Sequence, residues 1–233
     1  MTEQIVYYGV TNHPLRGHGL LNGKEPQLAI KEFTGDTNEI AFLRCPAYQD
    51  AMKNVFSISS WFSLDLAVEE NSLKSNAPQI FLDSYIREHS VKRKIYQLLQ
   101  EMMFIAKDDS LEMTQEPASM TDNSFTKSCS VISGTFDIGK HFRLVSCSFF
   151  IRNGVDIVEI KEDDSIYYLR FHTKKKIKFV PFFMSPKFEA LTLNTNSRPI
   201  GVFSHKALDY YYNLFKKKNL KRLLIEEIEK NLL

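Results

Sequence analysis

Residues that mark disulfide-rich, zinc-binding or membrane proteins are scarce in this sequence. Its three cysteines, Cys45, Cys129 and Cys147, are odd in number and far apart, which favours a reducing compartment or a sealed core over a disulfide framework or a zinc site. No run approaches the roughly 20 apolar residues that span a bilayer. The first residues also lack the basic segment and apolar core of a secretory signal. These absences predict a soluble protein of the cell interior or of a virion.

An excess of charge of either sign is also missing. The formal net charge is only +2, so no global field directs the chain towards nucleic acid or an anionic membrane. In contrast, 18 Phe and 10 Tyr residues supply large apolar side chains, as in an ordinary packed globule. A chain of 233 residues can therefore bury a sizeable core, in one large β-rich domain or two small ones.

The stretch from residue 134 to residue 183 carries the strongest pattern. It is dense in Phe, Tyr, Ile and Val, which favour a pleated, half-buried surface. The dipeptide Asn153-Gly154 tolerates positive φ at both central turn positions and therefore indicates a tight hairpin. We predict one antiparallel meander, with strands at about Arg143–Ile151, Val155–Ile160, Ile166–Thr173 and Ile177–Phe183.

The regions around this stretch give weaker patterns. Glycines and a proline within Ile5–Gly23 predict an arm over the surface, and Ser90–Ala106 fits either an amphipathic helix or a buried strand. Asp108–Asp122, which has acids and no base, is predicted as a mobile or ligand-facing loop. The longer gap Asp108–Ser130 is uncomfortable in a compact domain and leaves room for a strand around Leu111–Met113. Further strands are predicted at Gln27–Phe33, Glu39–Leu43, within Val55–Val68 and at Gln79–Ile86, with a connector at Met184–Ile200 and a core or sheet-edge position for Trp61.

Two apolar stripes predict a helical C-terminus. The first stripe is Leu208, Tyr211, Tyr212 and Phe215, and the second is Leu220, Leu224, Ile228 and Leu232. Because the second stripe is rotated from the first, we expect a break near Asn219, which would cap the second helix. The second stripe is either an exposed docking face or part of the core. The predicted fold class is mainly β, an antiparallel sandwich-like domain over residues 1–203 closed by a C-terminal helical hairpin at residues 204–233.

Four segments carry a resemblance to a known group of proteins. They are RCPAYQDAMKNVFSI at Arg44–Ile58, SLEM at Ser110–Met113, GTFDIGKHFR at Gly134–Arg143 and SIYYLRFHT at Ser165–Thr173. Together they resemble an uncharacterised protein family of tailed bacteriophages of aquatic hosts, whose pattern has Trp and Pro where this chain has His141 and Leu144. The resemblance implies a viral origin, in a virion or the host cytoplasm. That family has no assigned activity, so no catalytic residue is carried over.

One charged string is typical of an enzyme. Asp156, Glu159 and Lys161 lie close together on one predicted strand, and a Glu-x-Lys pair beside a second carboxylate binds metal in many Mg²⁺-dependent nucleases. Asp137 or Asp156 would supply that second carboxylate. The alternative is an exposed strand face with alternating charges, because three-residue matches are common in charged strands.

A basic turn offers a second candidate site, for nucleic acid. Its cations are Arg170, Lys174, Lys175, Lys176 and Lys178. They are interleaved with Tyr168, Phe171 and Phe179, a combination that could follow a phosphate backbone and stack bases. The alternative is a solvated turn whose lysines prevent edge-to-edge pairing of strands.

The histidines give no stronger alternative. His172-Thr173 matches only part of a two-histidine phosphoesterase motif, and His13 and His18 have no third metal ligand of fitting type nearby. The sequence therefore predicts no metal and no cofactor.

The leading hypothesis is a non-enzymatic phage protein that acts through protein–protein interaction, as a virion or assembly component, with other phage proteins or itself as partner. A Mg²⁺-dependent nuclease or a nucleic-acid-binding protein is the alternative.

Overall fold

The fold, taken from a computed structural model, is mainly β, as predicted. The structure describes residues 3–10, 25–33, 41–70, 72–90, 92–140, 143–193, 212–213, 215–216 and 219–233. The strands are β1 (Glu3–Val10), β2 (Gln27–Leu28), β3 (Val55–Ser59), β4 (Leu64–Val68), β5 (Leu73–Lys74), β6 (Ile86–Ser90), β7 (Ile95–Ala106), β8 (Glu112–Pro117), β9 (Cys129–Val131), β10 (Gly134–Asp137), β11 (Arg143–Ile151), β12 (Ile157–Ile160), β13 (Ser165–Phe171) and β14 (Lys176–Phe183). The helices are α1 (Pro46–Met52), α2 (Gln79–Tyr85), α3 (Ser124–Ser128), α4 (Pro186–Leu193) and α5 (Leu220–Glu229), with 3-10 helices at Ala29–Phe33 and Ala41–Arg44.

The strands form three sheets around one large core. A six-stranded sheet has the order β14-β1-β7-β11-β9, and β6 pairs with β7 beside β1. A five-stranded sheet has the order β10-β8-β13-β3-β2, and a three-stranded sheet has the order β12-β4-β5. The strand pairs are antiparallel except β1 with β14, which is parallel. Buried residues of all three sheets meet in one apolar cluster, which makes the arrangement sandwich-like.

Four phenylalanines connect the two larger sheets at the centre of this core. Phe56 and Phe171 come from the five-stranded sheet, and Phe104 and Phe179 from the six-stranded sheet. The ring of Phe56 meets that of Phe179 edge to face at 4.9 Å between centroids, and that of Phe171 at 5.7 Å. Such pairs contribute roughly 0.5–1.5 kcal/mol each beyond their buried area. These aromatic contacts therefore help to hold the two sheets face to face.

A second core lies on the opposite face of the six-stranded sheet. There α4, α5 and Phe215 pack on Tyr7, Met103, Ile105 and Phe182 of the sheet. The molecule thus has a helical layer, a six-stranded sheet and a second β layer. Within the described part of the chain, no helix is long and apolar enough to cross a membrane.

The predicted meander is correct in its strands and wrong in its pairing. The four strands of residues 143–183 are present, and Asn153-Gly154 forms a turn with Gly154 at φ 79°. However, β11 and β14 belong to the six-stranded sheet, β12 to the three-stranded sheet and β13 to the five-stranded sheet. The reason is burial, because pairing with β4 lets β12 place Val158 and Ile160 in the core beside Leu64 and Leu66.

Several local predictions are corrected by tertiary packing. The predicted surface arm begins with β1, an interior strand of its sheet, while residues 11–24 lie outside the described residues. Gln79–Ile86 is helical up to Tyr85, since Leu82 and Tyr85 share a buried helical face while Ile80 is 78% exposed. The predicted strand Gln27–Phe33 is a strand only at Gln27–Leu28 and continues as a 3-10 helix. Where a strand was predicted at Glu39–Leu43, Ala41–Arg44 is a 3-10 helix. The predicted connector Met184–Ile200 contains α4.

The structure also decides three predictions that the sequence left open. Within Ser90–Ala106 the residues Ile95–Ala106 form a strand, β7, and the strand expected around Leu111–Met113 is β8. Within Val55–Val68 the chain makes β3 and β4, and Trp61 packs edge to face on Phe62 and Tyr85 as a core aromatic.

The predicted C-terminal helical pair is present, and its second helix belongs to the core. Residues 212–213 and 215–216 are helical, Asn219 has a left-handed backbone (φ 49°), and α5 follows. The break near Asn219 is therefore confirmed, although the Asn219 side chain makes no capping hydrogen bond. Leu220, Leu224 and Ile228 are buried, so an exposed docking stripe on this helix is wrong. Leu208 and Tyr211 of the first stripe lie outside the described residues.

Candidate functional site

The three residues of the nuclease-like string lie on or beside β12, at the surface. Glu159 and Lys161 are 44% and 61% exposed and pair with each other at 3.5 Å. Glu159 also accepts a hydrogen bond from the Ser124 hydroxyl at 3.0 Å. Asp156 is exposed, and its backbone carbonyl accepts a hydrogen bond from Val68. The arrangement corresponds to the alternative to a nuclease site, an exposed strand face with alternating charges.

Asp137 does not form a site with Asp156, Glu159 and Lys161, because its carboxylate is hydrogen-bonded within a different part of the fold. It is buried at the end of β10, where it accepts hydrogen bonds from the Ser110 hydroxyl at 2.7 Å and from three backbone N–H groups, those of Leu111, Gly139 and Lys140. Lys140 Nζ lies 2.9 Å from Oδ2. Burial raises the pKa of Asp137, but these hydrogen bonds outweigh it, so that the pKa is lowered from its ordinary value. Asp137 therefore holds a turn together. Within the described residues, no group of three or more His, Cys, Asp or Glu side chains could hold a metal ion.

Arg170, the first cation of the basic turn, has a structural role. Its guanidinium makes two hydrogen bonds to the Glu116 carboxylate, at 3.1 and 2.8 Å, and a third to the carbonyl of Ala51. The pair is half-buried, with 32% and 25% of the two side chains exposed. Bidentate pairing of this kind fixes geometry strongly. Arg170 thus joins β13, β8 and α1 and is not available for a phosphate.

The remaining cations of the basic turn are at the surface without an aromatic platform. Lys175 pairs with Asp108 at 3.0 Å, Lys178 lies 4.0 Å from Glu3, and Lys174 and Lys176 are exposed. The three aromatic residues expected to stack bases, Tyr168, Phe171 and Phe179, are 1%, 2% and 8% exposed. The predicted combination of exposed cations and exposed rings is therefore not formed here.

His172 lies at the end of the five-stranded sheet in a short polar row. Its Nε2 is 2.7 Å from the Thr114 hydroxyl, which is itself 2.8 Å from the Thr135 hydroxyl. These residues come from neighbouring strands of the sheet and supply no carboxylate or cysteine. His13 and His18 lie outside the described residues.

The segments that carry the phage resemblance meet in one sheet. Gly134–Asp137 pairs with β8, which begins within the Ser110–Met113 segment, and β8 pairs with β13. On its other side β13 pairs with β3, the end of the Arg44–Ile58 segment. Four stretches that are distant in sequence thus form adjacent strands of the five-stranded sheet. The pattern of these four segments therefore corresponds to a structural unit, four adjacent strands of one sheet.

A cluster of hydroxyl groups surrounds Glu32 on the outer face of this sheet. The Glu32 carboxylate accepts hydrogen bonds from Thr121 at 2.7 Å, from Tyr168 at 3.0 Å and from Ser165. Ser57 and Ser165 are 2.6 Å apart at their hydroxyl oxygens. Burial raises the pKa of Tyr168 well above its ordinary value. The cluster ties the 3-10 helix Ala29–Phe33 to the sheet, and sequence reasoning did not find it.

An apolar surface lies where the C-terminal residues extend the six-stranded sheet. The Phe183 N–H donates to the carbonyl of Asn231 at 2.8 Å, the Leu233 N–H donates to that of Pro181, and Phe182 faces Leu232. Opposite residues in antiparallel strands share a face, so Leu233 lies over Pro181 and beside Phe183. Phe183, Leu232 and Leu233 are 37%, 47% and 70% exposed, and we call these three residues the apolar edge.

Comparison of the chain with known protein families, curated proteins and solved structures found no match.

Sequence reasoning missed the apolar edge for an identifiable reason. It treated Leu232 as the last member of a helical stripe, whereas α5 ends at Glu229 and residues 231–233 run along β14. The available signal was the apolar pair Leu232-Leu233 directly after the polar Lys230-Asn231.

Proposed function

We propose that this protein is a non-enzymatic phage protein that acts through protein–protein interaction, as a virion or assembly component. The apolar edge supports this proposal. It places the exposed Phe183 and Leu233 on one face at the border of a sheet, with Leu232 on the other face opposite Phe182. Another chain could add both backbone hydrogen bonds and apolar contacts there. Exposed apolar patches of this kind mark interaction sites.

The surroundings of the apolar edge also support a contact with protein. Phe182 packs into the helical core, so the alternate residues Pro181 and Phe183 point to the face that the helices leave uncovered. Backbone hydrogen bonds to Pro181 and Phe183 hold the C-terminal residues in place. A partner would therefore meet a prearranged surface and pay little ordering entropy. The phage resemblance supplies the context, in which the partner is another protein of the particle or a second copy of this chain.

The experiment is copurification with phage particles. Wild-type protein, the double variant Phe183→Ser/Leu233→Ser and the control Ile157→Ser are each supplied during infection, and purified particles and assembly intermediates are analysed for the chain. Ile157 is 59% exposed on β12 and therefore removes a comparable apolar group from another surface. We expect wild-type and control protein in the particles and at least about a tenfold loss of the double variant, since two apolar contacts are removed.

The outcomes are distinct. Equal recovery of the double variant and the control would show that the apolar edge is not the contact. If wild-type protein is absent from particles and intermediates, and is monomeric by light scattering at every concentration tested, the proposed role is wrong.

A further inference from the structure

A basic surface lies at the end of the six-stranded sheet where β6, β7, β9 and β11 meet. We call Lys92, Arg93, Lys94 and Arg152 the basic end. The first three occupy the turn between β6 and β7, and Arg152 follows β11 directly. Two backbone hydrogen bonds bring these parts together, from Ile151 N–H to the Lys94 carbonyl at 3.1 Å and from Arg152 N–H to the Ser128 carbonyl at 2.9 Å. Three consecutive cations and Arg152, which is distant in sequence, therefore share one small surface.

The cations of the basic end are not neutralised by the described residues. Lys92, Arg93 and Arg152 are exposed, and among the described side chains none forms an ion pair or hydrogen bond with any of the four. The nearby Lys127 differs, because Asp122 pairs with it at 3.2 Å. Glu88 is the one acid between Ile86 and Leu98, the part of the hairpin where β6 and β7 pair, so positive charge predominates locally. Local clusters of this kind attract polyanions even where the net charge of the chain is small.

An exposed aromatic ring lies within the basic end. Phe150 is 41% exposed and sits opposite Ile95, next to Lys94, and opposite Ser130 of β9. Along β11 the residues Cys147, Phe149 and Ile151 point into the core, so Phe150 points to the other face, and the alternation directs Arg152 to the same side. An uncovered ring near cations is the combination that binds single-stranded nucleic acid, since bases stack on the ring and phosphates contact the cations.

A cavity opens beside Arg152. It has a volume of about 270 Å³ and is lined by Arg152, Ser119, Thr121 and Ser130, with Phe125 and Ile166 among its apolar lining residues. Its lining combines apolar and polar groups, which suit the faces and the edges of a base.

From these observations we propose that the basic end, with Phe150, binds single-stranded nucleic acid. This inference does not depend on the proposed protein–protein contact, because the apolar edge is formed by other residues. It also differs from the basic turn at residues 170–178, where Arg170 is bound to Glu116 and the aromatic rings are buried.

The test is fluorescence anisotropy of a labelled oligodeoxythymidine of roughly 20 nucleotides, titrated with the full chain at several salt concentrations. Four phosphate contacts predict a slope of log K against log[salt] of about −3 for a single strand. The variant Lys92→Gln/Arg93→Gln/Lys94→Asn removes three cations, and Asn suits the left-handed backbone of Lys94 (φ 51°). We expect its slope to fall to about −1.

Phe150→Ser tests stacking separately from charge. We expect about a tenfold weaker affinity with an unchanged salt slope, because the ring contributes stacking and no charge. Phe183→Ser, another half-exposed ring, should leave binding unchanged. The matched charge control is Lys174→Gln/Lys176→Gln/Lys178→Gln in the basic turn, which should retain the wild-type slope.

Four results would overturn the proposal. They are the absence of oligonucleotide binding at low salt, loss of binding in the basic-turn control but not in the basic-end variant, equal affinity for polyglutamate, and binding to phosphatidylserine vesicles in place of the oligonucleotide. All substituted side chains lie at the surface, and thermal unfolding verifies that each variant is folded.

Discussion

The backbone of Gly139 lies directly against that of Ser110. A Cβ atom on Gly139 would be 2.6 Å from both the Cα and the N of Ser110, and 2.8 Å from the carbonyl oxygen of Asp108. Real Cβ atoms essentially never approach backbone so closely, and backbone cannot rotate away as a side-chain end can. This contact joins two segments of the phage-like pattern, Ser110–Met113 and Gly134–Arg143.

Gly139→Ala should therefore be strongly destabilising. We expect a loss of about 3 kcal/mol in the free energy of unfolding, the upper part of the range for overpacked sites, measured by urea denaturation. Gly134→Ala is the matched control, since its Cβ would meet only the end of the Phe136 ring, at 3.3 Å. Equal stability of the two variants would show that the contact with Ser110 relaxes easily.

Asp137 should make the free energy of unfolding decrease at acidic pH. Its folded-state pKa is below the ordinary value of 3.8 because its hydrogen bonds outweigh the effect of burial. Its stabilising contribution is therefore fully present above about pH 4 and is lost as the pH falls from there through the folded pKa. Asp137→Asn should lower the free energy of unfolding by about 2 kcal/mol at neutral pH and reduce its decrease between pH 5 and pH 3. Urea denaturation across this range tests both, and an unchanged pH profile would contradict the assignment.

The helix α5 provides a paired test of core against surface. Leu224 is fully buried against the six-stranded sheet, whereas its neighbour Leu223 is 37% exposed. Leu224→Ala should cost about 3 kcal/mol, as large-to-small core substitutions do, and Leu223→Ala less than about 0.5 kcal/mol. Denaturation midpoints measure both, and truncation after Lys218 should destabilise the whole fold. A truncated chain of unchanged stability would restore the docking hypothesis for this helix.

The basic turn offers a test of structural against binding roles. Arg170→Lys breaks the bidentate contact with Glu116 and should lower the free energy of unfolding by about 1–2 kcal/mol. Lys174→Gln, at an exposed position of the same turn, should change it by less than about 0.5 kcal/mol. Chemical denaturation compares the two, and equal effects would mean that Arg170 contributes no more than a surface cation.

Local patterns in the sequence determined the four strands of residues 143–183 and the fold class. Apolar residues that alternate with polar ones identified β12 and β14, the turn at Asn153-Gly154 follows from the permissive backbone of glycine, and the rotation between the two apolar stripes located the break at Asn219. These features depend on residues within a few positions of one another, so a single sequence contains them.

Tertiary structure alone decided which strands pair and which side chains meet. Consecutive strands β12, β13 and β14 entered three different sheets, because each pairs where its apolar face completes the shared core. The same packing placed Asp137 against Ser110 and away from Glu159, and brought Phe150 opposite Ile95, beside the turn that carries Lys94. Strand alternation specifies which face of a strand is buried, but the choice of neighbour depends on contacts between distant residues, which the local pattern does not record.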